Sequence, residues 1–168
     1  MVVTIAASEH LHGQASKSAQ GAKPPFSLTI TAADSVVKSG SAILVDATVK
    51  NTSDHEISVF STSDHLGNEY NADVWTDKST LAPETRLGRE INNHTTPEDE
   101  RTPQIRISNG GSIPLKPGKT FTDHANISTM YDLSQPGKYT IQFRKYDDES
   151  KTTVKSNKIT VTVTANGN

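Results

Sequence analysis

Asp54-His55, Asp64-His65 and Asp123-His124 set a carboxylate beside an imidazole three times along the chain, and His10-Leu11-His12 places two more imidazoles one residue apart. With the acidic run Asp147-Asp148-Glu149, these are residue types able to hold a divalent cation, nitrogen ligands suiting zinc and carboxylate oxygens calcium. A site needs several of them to converge at about 2 Å from one point, and no spacing here imposes that. Asp, His and Glu also populate solvated turns, which is the reading the pattern favours, so no metal is expected. A second group is arginine. Arg86, Arg89 and Arg101 lie in the segment 77–111 among Glu84, Glu90 and Glu98. Their guanidinium forks either anchor a partner's carboxylates or are tied up in local pairs, the latter slightly favoured. Catalytic groups are not indicated. The chain has no cysteine and no Gly-x-Ser-x-Gly elbow, and Asn109-Gly110-Gly111 lacks the Lys-Ser/Thr of a phosphate loop. No catalytic residue and no cofactor are expected.

The elements that must position these residues are short strands. A length of 168 residues suits one domain, and only 32 % of residues are hydrophobic, too few for a sheet buried on both faces. Phe26, Leu28 and Ile30 alternate with Ser27, Thr29 and Thr31. Ile43, Val45, Ala47 and Val49 alternate with Leu44, Asp46, Thr48 and Lys50, and Ile159, Val161 and Val163 with three threonines. Further strands are read over Glu56 to Ser61, Tyr70 to Thr76, Thr120 to Ile127 (with Phe121 as its large apolar residue), Lys138 to Tyr146 and Lys158 to Thr164. Met130 to Leu133 reads as one helical turn, and Gln104 to Ser108 as a short strand dividing the long charged segment. Trp75 is the only tryptophan. It neighbours Val74, so the two cannot both face inward on a regular strand.

Pro136-Gly137-Lys138-Tyr139 ahead of an alternating run is the pattern of a Greek-key corner, where a tyrosine buries its ring and returns its hydroxyl to the backbone a few residues upstream. The expected fold is therefore all-β, an immunoglobulin-like antiparallel β-sandwich over residues 26–165, with Tyr139, Pro136, Gly137 and Trp75 as structural markers. Residues 1–25 read as a disordered flexible leader or the remnant of a signal segment. A net charge of -2 argues against a nucleic-acid partner, and no apolar run is long enough for a membrane span. Asn51-Thr52-Ser53, Asn93-His94-Thr95 and Asn126-Ile127-Ser128 match glycosylation acceptors, meaningful only in a eukaryotic host.

Leu115-Lys116-Pro117-Gly118, Tyr131-Asp132-Leu133-Ser134, Pro136-Gly137-Lys138-Tyr139 and Ser156-Asn157 together resemble the turn phrasing of immunoglobulin-like β-sandwich modules in secreted bacterial proteins. The phrasing is also similar to that of deuterolysin-type propeptides and of small proteinase inhibitors of the intracellular-subtilisin-inhibitor type. The resemblance covers 113–163 best. It implies architecture, and it carries over no peptidase activity, since the helical His-Glu-x-x-His is absent. The function expected is a non-catalytic, extracytoplasmic (secreted or periplasmic) binding or structural module that recognises a protein or cell-surface partner. The alternative is an inhibitor or propeptide-like domain using the 77–111 loop.

Overall fold

Alternation decides which side chains go inside. The computed structural model describes residues 23–62, 70–101 and 110–167. In β1 (Phe26–Ala32) the buried residues are Phe26, Leu28 and Ile30. In β3 (Leu44–Asn51) they are Val45, Ala47, Val49 and Asn51. These strands form a sheet of order β1-β3-β7 with β7 (Thr120–Asn126). A second sheet faces it, of order β2-β9-β8-β5, from β2 (Val36–Lys38), β9 (Thr152–Thr164), β8 (Gly137–Asp147) and β5 (Asn71–Trp75). Ala72, Val74, Tyr139, Ile141, Phe143, Val161 and Val163 fill the space between the sheets. The molecule is an immunoglobulin-like β-sandwich. One pair departs from the antiparallel rule: β2 runs parallel to β9.

Among the described residues, two further strands, β4 (Ile57–Thr62) and β6 (Gly110–Leu115), pair only with each other. They continue the β3–β7 pair round a corner, since β3 leads into β4 and β6 into β7, and the pairing passes from Lys50↔Thr120 to Ile57↔Leu115. Asn51 staples that bend. Its side chain is wholly buried; Nδ2 donates to the carbonyls of His55 (2.8 Å) and Leu115 (2.7 Å), and Oδ1 accepts from the amide and hydroxyl of Ser53. The acceptor motif at Asn51 is thus closed to modification in the folded chain.

A bulge in β9 joins the sheets along one side. The β8–β9 register shifts between Gln142 and Arg144, where the Phe143 amide donates to Ser156 Oγ at 2.9 Å rather than to a ladder carbonyl. Asn157 is thereby turned toward β1. It accepts from the Ile30 amide at 2.8 Å and donates to the Ile30 carbonyl at 3.0 Å, doing for the edge of β1 what a neighbouring strand would. β9 consequently begins at Thr152, six residues before the start expected at Lys158.

Tyr139 buries its ring and donates from its hydroxyl to the Gln135 carbonyl at 2.8 Å, so the Pro136-Gly137 turn is a tyrosine corner. Val74 is wholly buried, which puts Trp75 on the outer face of β5. The placement of the helical turn is corrected. The helical turn lies at Ile127–Thr129, capped by Asn126, and Tyr131 beyond it is bridged to Glu84. Phe121, the large apolar residue of β7, is partly buried and packs against the core on the same face as Asp123 and Ala125. The expected strand at 104–108 and residues 1–22 of the leader fall outside the described residues; the leader ends before Pro25, which is buried and whose carbonyl accepts from the Thr52 and Ser53 amides.

Candidate functional site

The charged segment after β5 is folded over its described residues 77–101. Thr85 caps α1 (Arg86–Asn92) by accepting from the Gly88 amide, and Asn93 closes it in the left-handed region. α2 (Pro97–Arg101) opens with proline at its first position. Thr96 ahead of it exchanges hydrogen bonds with Asp99, amide and hydroxyl to carboxylate one way and amide to hydroxyl the other. α1 approaches the 127–130 turn so closely that a Cβ on Gly88 would sit 1.9 Å from the Met130 carbonyl oxygen. Only glycine allows that contact.

This segment covers the outer edge of β5. The Ala72 amide donates to Asn92 Oδ1 at 3.1 Å, the Ala72 carbonyl accepts from the Tyr131 hydroxyl, and Asn92 Nδ2 donates to Tyr131 and to Glu84. Farther along, the Ala82 amide donates to the Val74 carbonyl, and Asn71 Nδ2 to Ile91 O. An exposed strand edge is a template for unwanted pairing, and β5 is covered at each of these positions. Burial, then the Glu84 carboxylate, pushes the Tyr131 phenol above its usual range, so its hydroxyl stays a donor.

Within this cap, Arg89 is bidentate to Asp99, at 2.7 Å on both bonds, and also donates to the Glu84 carbonyl. The guanidinium holds the Asp99 carboxyl well below the usual range, helped by the Thr96 amide. Arg86 donates to Glu90 at 2.9 Å and to the Asp99 carbonyl. Arg101 stands in solvent beside Glu98 at 3.5 Å. Of the three arginines, two hold the cap together and one faces outward. Asp99 is the partner the sequence reading missed; Thr96-Pro97-x-Asp99, a helix-start pattern, was the signal for it.

The carboxylate–imidazole pairs do not converge. His124 meets Asp46 across strands at 2.6 Å, while His55 lies between Asp54 and Glu149, both at 3.2 Å, which raises its pKa; Asp64-His65 lies outside the described residues. Asp147 accepts from the amide and hydroxyl of Ser150 and so closes the β8–β9 turn. Among the described residues no three His, Asp or Glu side chains are grouped to hold a metal ion.

The outer face of the second sheet presents a different constellation. Trp75 pairs with Thr140, and Thr140 with Thr160, while Lys158 lies opposite Gln142. Lys158 Nζ nonetheless sits 4.6 Å from the Trp75 ring centroid. β5 and β9 are two strand spacings apart, about 10 Å, so indole and ammonium meet over β8. A groove of about 230 Å³ opens there, lined by Trp75, Thr76, Ser79, Thr140 and Lys158. Beside it, across the 76–80 turn, lies a second groove of about 390 Å³ with Lys78, Lys138 and Gln135 in its walls. The turn between them is fixed. Thr76 N donates to Thr80 O (2.8 Å), Ser79 N to Thr76 O (2.9 Å), the two threonine hydroxyls bond at 2.8 Å, and Ser79 holds a φ of 59°.

No family model matches the chain. Nor does any curated protein. Among solved structures, a β-glucosidase from Erythrobacter marinus aligns at 12 % identity and a TM-score of 0.43, over 84 % of this chain but only 16 % of the glucosidase. A CARDB domain from Pyrococcus furiosus aligns at 13 % identity and a TM-score of 0.36, over 83 % of this chain and 94 % of that domain. The fold assignment therefore rests on the strand order and core described above.

Proposed function

We propose that this chain is a non-catalytic module that works outside the cytoplasm by surface recognition, through the Trp75 face rather than through the arginine segment. One observation carries the reading: most of the buried polar side chains among the described residues hold backbone in place. Asn51 holds the ribbon corner, Asn92 the β5 edge, Asp99 the start of α2, Asp147 the β8–β9 turn and Ser156 the bulge. What remains to meet a partner is the surface, where a partly exposed tryptophan on a rigid sheet is the residue type most enriched at binding hot spots. The location follows from the resemblance of its turns to those of secreted modules. Inhibition of a protease by the 77–111 loop is less well supported, because a cleft-filling loop must be extended and its described residues 77–101 are folded onto β5.

The test is retention of the purified, fluorescently labelled protein on intact cells and isolated envelopes of its host. Saturable retention that Trp75→Ala abolishes is expected. Turnover of an added substrate, or no retention on any envelope material, would overturn the reading.

A further inference from the structure

From the groove between Trp75 and Lys158 we infer a binding site for an acidic saccharide, a sugar ring bearing a carboxylate. The inference rests on the recognition reading and names its ligand. Three features point to that chemistry. First, Lys158 is a cation whose facing group is a π-system: Nζ lies 4.6 Å from the indole centroid, and it enters no ion pair among the described residues. An ammonium so placed has its positive charge uncompensated by a carboxylate, which a ligand can supply. Second, the other polar groups of the groove are hydroxyls. Ser79 Oγ and Thr140 Oγ1 make no hydrogen bond with the described residues, so both are available to a ligand's ring hydroxyls as donor or acceptor. Third, the indole, one face of which carries Lys158, offers the flat apolar surface left beside the ammonium to the C–H face of a pyranose.

Size and charge extend the argument. A groove of about 230 Å³ falls below the roughly 300–1,000 Å³ of drug-sized pockets, room for one ring rather than several. The neighbouring groove of about 390 Å³ shares Thr76 with it, so a linked second unit can cross the 76–80 turn. Lys78 and Lys138 stand there against Asp77, and with Lys158 the two grooves carry three cations to one anion. A repeating acidic chain fits this balance, and a neutral one leaves the amines unused. The left-handed Ser79 is consistent with a preformed rim: a non-glycine residue in this region is locally unfavourable and persists where surrounding bonds hold it.

The only tryptophan in the chain makes the experiment specific, since indole emission, excited at the red edge where the four tyrosines do not absorb, reports on this groove. The full chain is titrated with a galacturonic acid trimer, a neutral xylose trimer and a tripeptide with a free C-terminal carboxylate. A saturable change with the acidic trimer, at least tenfold tighter than with the other two, is expected. Lys158→Ala should weaken it at least tenfold and Lys158→Arg restore most of it. Trp75→Phe, followed by calorimetry, should weaken it while leaving the melting temperature near that of the parent. Equal affinity for the neutral and acidic trimers, preference for the tripeptide, or no response to any of the three overturns the assignment. If envelope retention still depends on Trp75 in that event, the saccharide falls and the recognition reading stands; if retention also fails, both fall.

Discussion

Replacing Asn51 by alanine should be among the most damaging single changes in the sandwich, and its size can be worked from the corner geometry. Four hydrogen bonds disappear. The Leu115 carbonyl is left buried without its donor, a loss of about 1–3 kcal/mol, while the His55 carbonyl and the Ser53 amide are nearer solvent and cost less, together roughly 1 kcal/mol. The missing amide leaves a void in a site with no exposure, adding about 1 kcal/mol. The sum is about 3–5 kcal/mol against the roughly 5–15 kcal/mol that holds a domain together. The melting temperature should fall by about 10–15 °C for a domain of this length. Urea unfolding followed by circular dichroism should show a lower midpoint with an unchanged slope. Asn51→Asp sharpens the case, since a carboxylate keeps both bonds from Ser53 but sets negative charge against two carbonyl oxygens. It should be no more stable than the alanine variant at neutral pH and should recover stability on acidification, when the protonated carboxyl donates again. A loss below about 1 kcal/mol in Asn51→Ala would refute the claim that this residue holds the bend.

Three further outcomes follow from named contacts. Tyr139→Phe should lose on the order of 1 kcal/mol in chemical unfolding as the bond to Gln135 disappears; an unchanged midpoint would mean the corner bond contributes nothing. The folded Asp99 carboxyl sits below its unfolded value, so its contribution is present above about pH 4 and lost as pH falls toward the folded value; acid titration should show the cap loosening below about pH 4 in the parent but not in Asp99→Asn. Tyr131→Phe removes the donor to the Ala72 carbonyl, and amide exchange should quicken along β5 before it quickens in β3.

Strands were legible where one face alternates with the other, as in Phe26-Leu28-Ile30 and Ile159-Val161-Val163, because burial on a single face writes a period of two directly into the chain. Tyr139 was legible because a corner binds locally, four residues back to Gln135. What escaped the sequence was set by partners far along the chain. Asn51 reaches Leu115 and Asn157 reaches Ile30, and nothing near either asparagine announces the distant carbonyl. The two short helices carry little apolar periodicity, since they bury Gly88, Asn92 and Asp99 rather than leucines, so their caps at Thr85 and Thr96 were the only local sign of them. The arginines illustrate the consequence: composition marked Arg86, Arg89 and Arg101 alike, and only the fold separates two staples from one exposed side chain. The alternation showed that Val74 and Trp75 could not both face inward; which of them faces out, and the meeting of Trp75 with Lys158, needed the β5–β8–β9 order to be seen.

The central claim, that this module acts through its Trp75 face and not through its arginine segment, is tested most directly by measuring envelope retention of Trp75→Ala and Arg101→Ala side by side. Both side chains lie outside the core, so both variants should keep the parent's circular dichroism spectrum. The account predicts retention lost in Trp75→Ala and unchanged in Arg101→Ala. Retention lost in Arg101→Ala and kept in Trp75→Ala would contradict it.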